Sequence, residues 1–67
     1  MEDPTLDEKA EQFKNKGNDE FKRQNYTQAI DYYNQAIQCS PKNPAYYTNR
    51  CIAYIKIENF DAAMRDC

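Results

Sequence analysis

The 67-residue sequence contains no histidine and only one glycine. Without histidine there is no imidazole metal site and no Ser-His or Cys-His nucleophile pair. There is also no side chain that changes charge near neutral pH. The lone glycine, Gly17, cannot build a phosphate-cradling loop or a dinucleotide fingerprint. Most enzyme chemistry is excluded on these grounds, and neither metal nor cofactor is expected. Long apolar runs are also missing. None approaches the ~18 consecutive residues of a membrane helix, so no membrane span is expected. The start, Met1-Glu2-Asp3-Pro4, is acidic and lacks an apolar segment, so no secretory signal is expected and a cytoplasmic setting is.

Cysteines are few: Cys39, Cys51 and Cys67, with no Cys-x-x-Cys. Zinc normally takes four ligands, and three scattered thiols without histidine do not supply them. With a reducing compartment expected, all three read as free thiols acting as small core residues, with Cys51 buried.

Basic charge is also scarce. Nine basic and eleven acidic residues leave a formal charge of −2. Glu2, Asp3, Asp7, Glu8 and Glu11 crowd the first eleven residues, against Lys9 alone. Residues 12–67 then carry eight basic and six acidic residues, a balance of +2. The acidic lead suits the first turn of a helix, where carboxylates complement the dipole, better than it suits an interaction tail. The balance argues against a nucleic-acid binder, which shows a strongly basic stripe.

What the sequence does have is helical periodicity. Leu6, Ala10, Phe13, Gly17 and Phe21 recur at spacings of three and four, one stripe of a helix. Asp3 and Pro4 fit its cap and first turn. A second stripe runs through Tyr26, Ala29, Ile30, Tyr33, Ala36 and Ile37 and ends at Ser40-Pro41-Lys42-Asn43-Pro44. Asn43-Pro44 repeats the cap-plus-proline start. A third stripe follows through Tyr47, Cys51, Tyr54 and Ile55, and a fourth opens with Phe60, Ala63, Met64 and Cys67. Helices are predicted over about 5–24, 27–38, 44–57 and 60–67, packed as two antiparallel pairs. The fold class is all-α.

The chain also resembles itself. Shifted by 34 residues, Phe13 falls on Tyr47, Asn15 on Asn49, Gly17 on Cys51 and Phe21 on Ile55. Tyr26 falls on Phe60, Ala29 on Ala63 and Ile30 on Met64. Gly17 and Ala29 are expected to be small because two helices cross closely there, with Phe13 and Tyr33 filling the space beside them. Pro41 ends the second helix and turns the chain into the next unit.

This period, and the order Phe13, Gly17, Ala29, Tyr33, Ala36, Pro41, resemble the tetratricopeptide-repeat family. The resemblance covers about residues 10–67 and implies an α-solenoid fragment of helix-turn-helix repeats. Residues 1–9 read as an acidic lead, 10–43 as repeat one, and 44–67 as a truncated repeat two. The family is a scaffold, so function rests on its concave face, lined by the first helix of each repeat.

Two strings carry a sharper resemblance. Phe13-Lys14-Asn15-Lys16-Gly17-Asn18 and Tyr46-Tyr47-Thr48-Asn49-Arg50 look like the first helices of co-chaperone tetratricopeptide domains of the Hop/Sti, CHIP and protein phosphatase five types. That resemblance implies a carboxylate clamp for the C-terminal Glu-Glu-Val-Asp tail of heat-shock proteins 70 and 90. Lys14 would pair with a peptide carboxylate, and Asn18 and Asn49 would hydrogen-bond the terminal carboxylate and last peptide unit. Phe21, Ile52, Ile55 and Lys56 would shape the groove beside them. The chemistry is coherent: amides donate to carboxylate oxygens, lysine supplies the counter-charge, and Lys14 and Asn18 share a helix face as i, i+4 neighbours.

Taken singly, Lys14 and Asn18 are ordinary helix-surface residues; in register with Asn49, they favour the clamp. The family completes the clamp with a lysine and an arginine on a third repeat, which this chain lacks, so it reads as a fragment. The alternative function is a generic scaffold for another protein partner. Because one repeat cannot cover its own apolar face, self-association through the uncapped second repeat is expected.

Overall fold

The computed structural model describes residues 4–66 and contains four helices: α1 (Pro4–Lys22), α2 (Tyr26–Cys39), α3 (Pro44–Lys56) and α4 (Phe60–Asp66). No strand occurs among the described residues, as the helical stripes predict. The helix ends lie within two residues of the predicted spans. The Asp3 cap and the Cys67 end of the last stripe lie outside the described residues.

Local chemistry explains where the helices start and stop. Asn43 caps α3 by accepting from the Ala45 N–H at 3.0 Å, with Pro44 in the first turn. α1 stops because Gln24 enters the left-handed region at φ 66°. The Gln24 N–H then bonds the Phe21 carbonyl at 3.0 Å, and the Asn25 N–H bonds that of Glu20 at 2.8 Å. These two bonds make a Schellman motif, which satisfies carbonyls the helix leaves open. The same geometry recurs one period later. Glu58 has φ 62°, its N–H bonds the Ile55 carbonyl at 3.0 Å, and the Asn59 N–H bonds that of Tyr54 at 2.9 Å. The turn within each pair therefore repeats as strictly as the apolar stripes do.

Each helix packs chiefly on its neighbour in sequence, giving a slab of 37 × 24 × 13 Å. The core has two parts. Ala29, Ile30, Tyr33 and Ala53 form one, with Phe21 and Tyr54 against it. Ala10, Ala36 and Tyr46 form the other, flanked by Phe13, Ile37 and Cys39. Gly17 is small for the expected reason: a Cβ there would sit 2.6 Å from Tyr33 Cε1 and 3.2 Å from the Ala29 carbonyl. Cys51 is buried at the matching position of α3.

One expectation is corrected. Cys39 is a free thiol, but Cys51 is disulfide-bonded rather than reduced. Wide spacing in sequence says nothing about which sulfurs the fold brings within bonding distance. Cys67 lies outside the described residues.

Candidate functional site

The first helices of the two pairs, α1 and α3, carry every residue of the predicted site. On α1, Asn18 is half-buried and its position is determined from below. The Tyr33 hydroxyl, rising from α2, donates to Asn18 Oδ1 at 2.6 Å. Tyr33 is 2% exposed, and burial raises its phenol above the usual tyrosine value, so it stays a protonated donor at neutral pH. With its oxygen engaged, Asn18 has its two amide N–H donors left for another partner.

Asn49 of α3 shares a small groove of about 100 Å³ with Asn18. Phe21, Tyr33 and Ile52 complete its lining. Two amides from different helices thus stand beside apolar side chains in one depression. Phe21 is held at its margin by an edge-on contact with Tyr26, ring centroids 5.1 Å apart. Of the predicted groove residues, Phe21 and Ile52 line the depression, whereas Ile55 and Lys56 are exposed beyond it. Ile52 and Ile55 are 43% and 46% exposed, so aliphatic surface lies beside the two amides.

Lys14 lies one turn before Asn18 and does not line the groove. Its Nζ pairs with Glu11 Oε1 at 2.6 Å. The other oxygen of Glu11, Oε2, accepts from the Tyr46 hydroxyl at 3.0 Å. Lys14 first, and Tyr46 second, hold the Glu11 carboxyl below its usual value. Burial and then the Glu11 carboxylate raise the Tyr46 phenol. Tyr46 is 2% exposed and belongs to the core, so this network ties the charged face of α1 to α3.

Glu11, Tyr33 and Tyr46 were not among the predicted site residues. The Glu11/Lys14 spacing is legible as an i, i+3 pair, but the two tyrosine contacts join residues 15 and 35 apart and need the fold. Beside Asn49, Arg50 donates to Asn34 Oδ1 at 2.7 Å and lies over the Tyr47 ring. That contact pins α3 to α2 and turns Arg50 away from use as a free cation.

A larger open depression of about 750 Å³ lies between the first half of α1 and the α2–α3 turn, with Asp7, Glu8, Glu11 and Tyr46 in its walls. Its carboxylates give it the wrong sign for an acidic ligand. Among the described residues no cluster has the composition to hold a metal ion, and no helix is long and apolar enough to cross a membrane.

Comparison with known proteins extends this geometry. The TPR repeat family matches residues 17–63. Human small glutamine-rich tetratricopeptide repeat-containing protein beta is 44% identical over 88% of this chain and 19% of its own length. Human serine/threonine-protein phosphatase 5 is 43% identical over 87% of this chain and 12% of its own. Stress-induced-phosphoprotein 1 of Caenorhabditis elegans is 40% identical over 90% of this chain and 19% of its own. The chain spans less than a fifth of the length of these relatives.

Proposed function

Because this chain belongs to the tetratricopeptide-repeat family and is a protein-interaction module, we propose that its groove grips the acidic C-terminal peptide of a chaperone. The ligand would be a Glu-Glu-Val-Asp tail of the heat-shock protein 70 or 90 type. Asn18 and Asn49 donate to the terminal carboxylate, Lys14 pairs with a carboxylate, and Phe21 and Ile52 receive apolar side chain. The observation that carries this reading is the shared groove of Asn18 and Asn49. Tyr33 occupies the Asn18 oxygen and leaves its donors for an anion. Ile55 and Lys56, further along α3, would meet the residues preceding the terminal one.

The similarity to serine/threonine-protein phosphatase 5 supports the reading, since that is one of the types the two helix strings resemble. The match covers 12% of that protein, so nothing catalytic is carried over, and this chain is proposed to be a non-enzymatic adaptor. Residues 10–43 and 44–67 are taken as one repeat and part of a second, after an acidic lead at 1–9. A cytoplasmic setting is part of the same proposal; there the Cys51 disulfide would face a reducing thiol pool.

Calorimetry with a free-acid tail peptide and its C-terminal amide tests the reading. The acid should bind and the amide should not. Asn49→Ala should weaken binding by about 1–3 kcal/mol if it leaves a carboxylate oxygen unpaired. Lys14→Glu should abolish it while leaving the helical signal intact. Added salt should weaken it, because exposed charges are screened over ~8–10 Å. Equal affinity for acid and amide leaves a generic scaffold for another partner.

Self-association is proposed alongside. Ile57, in the turn after α3, and Phe60 and Met64 of α4 are 41%, 56% and 76% exposed, and a second copy would cover them. Sedimentation over a wide concentration range should show a dimer; a monomer at every concentration refutes it.

A further inference from the structure

Glu11 uses both of its carboxylate oxygens. Oε1 takes the Lys14 ammonium at 2.6 Å, from one turn along α1, and Oε2 takes the Tyr46 hydroxyl at 3.0 Å, from α3. Tyr46 is buried among Ala10, Ala36 and their neighbours, so its hydroxyl is a fixed donor. Glu11 itself is half exposed, its side chain at 53%, and can be displaced from the lysine without disturbing the core. Lys14 is the one cation among the three residues assigned to peptide carboxylates, and its charge is already answered.

We propose that Glu11 is an internal stand-in for the ligand carboxylate: it occupies Lys14 in the free protein, and an incoming acidic peptide must displace it. Tyr46 is the positioning residue that keeps the stand-in in place. The proposal rests on the clamp reading above and assigns to that site a residue that sets how strongly acidic a ligand must be. A ligand with one weakly placed carboxylate exchanges one ion pair for another and gains little. A ligand that brings several carboxylates gains by replacing the exposed pair with one supported by Asn18 and Asn49. Removing the Glu11 charge lifts this threshold and also removes the repulsion between Glu11 and the peptide.

The test is Glu11→Gln, which keeps an acceptor for Tyr46 and nearly the same shape. It should tighten binding of the free-acid tail peptide about two- to fivefold, the range of one exposed ion pair. Tyr46→Phe, which frees Glu11 from its anchor, should shift affinity in the same direction by less. A second readout needs no peptide: acylation of Lys14 by an activated ester, measured by mass spectrometry against Lys16 in the same molecule, should be faster in Glu11→Gln. Unchanged or weakened binding in Glu11→Gln overturns the proposal while the clamp reading stands, as does unchanged Lys14 reactivity. Equal affinity of the unsubstituted protein for acid and amide peptides overturns the clamp reading itself, and this proposal with it.

Discussion

Gly17 leaves no room for a side chain. A methyl group there would meet the Tyr33 ring at 2.6 Å, and Tyr33 is buried in the core cluster with Ala29, Ile30 and Ala53. Alanine would gain about 0.5–1 kcal/mol of helix propensity, but overpacking a crossing loses roughly 1–3 kcal/mol. Gly17→Ala should therefore be net destabilising in urea unfolding, and any larger residue more so; a gain in stability would show that the ring yields freely. Tyr33 gives a second prediction. Its phenol is raised by burial, so the folded state holds the proton more tightly than the unfolded chain. That contribution is complete below the unfolded value near pH 10 and is lost as pH rises through the folded one. Tyr33→Phe should flatten the alkaline limb of the stability curve. The same substitution should weaken acid-peptide binding by freeing the Asn18 amide to rotate. Glu11 has the opposite sign. Its lowered value means its contribution is present above the ordinary carboxylate range and fades as pH falls below it, through the Lys14- and Tyr46-bound state.

At the scale of the helix, the informative elements are the turns. Gln24 and Glu58 both sit at positive φ, 66° and 62°, where a side chain is strained and glycine is not. Gln24→Gly and Glu58→Gly should each stabilise the fold by up to about 1 kcal/mol, with the unfolded-state entropy of glycine setting that ceiling. The two sites are one period apart and share no partner, so the double variant should be additive within ~0.3–0.5 kcal/mol. Chemical denaturation of the three variants checks both statements, and a loss of stability in either single variant contradicts the strain argument. The stop of α1 near Gln24-Asn25 is legible from the apolar stripe. That the chain uses a non-glycine residue at the left-handed position is not, because neither glutamine nor glutamate signals positive φ.

For the whole molecule, packing between sequence neighbours makes stability nearly a chain of local terms. α1 and α2 carry the buried Ala10, Ala29, Ile30, Tyr33 and Ala36, while α4 is 7 residues long and leaves Phe60 and Met64 largely exposed. Hydrogen exchange should be slowest in α2 and the facing half of α1 and fastest in α4. Uniform protection across all four helices would mean that the slab unfolds as one unit.

Four helices, their order and their ends follow from the sequence alone. Apolar residues at spacings of three and four, prolines at 41 and 44, and a 34-residue self-match are local signals, and helices form from local bonds. Lys14, Asn18 and Asn49 came forward as candidates through the resemblance of their two strings to co-chaperone helices. Tertiary structure decided what those side chains do before any ligand arrives. Tyr33 takes the oxygen of Asn18, Glu11 holds Lys14, Tyr46 holds Glu11, Arg50 is turned onto Asn34, and Cys51 is bonded rather than free. Three of these contacts, Tyr33 to Asn18, Tyr46 to Glu11 and Arg50 to Asn34, join different helices. Their partners lie 15 residues or more apart, and hydrogen-bond distances of that kind are set by how helices pack, not by what precedes or follows a residue in the chain.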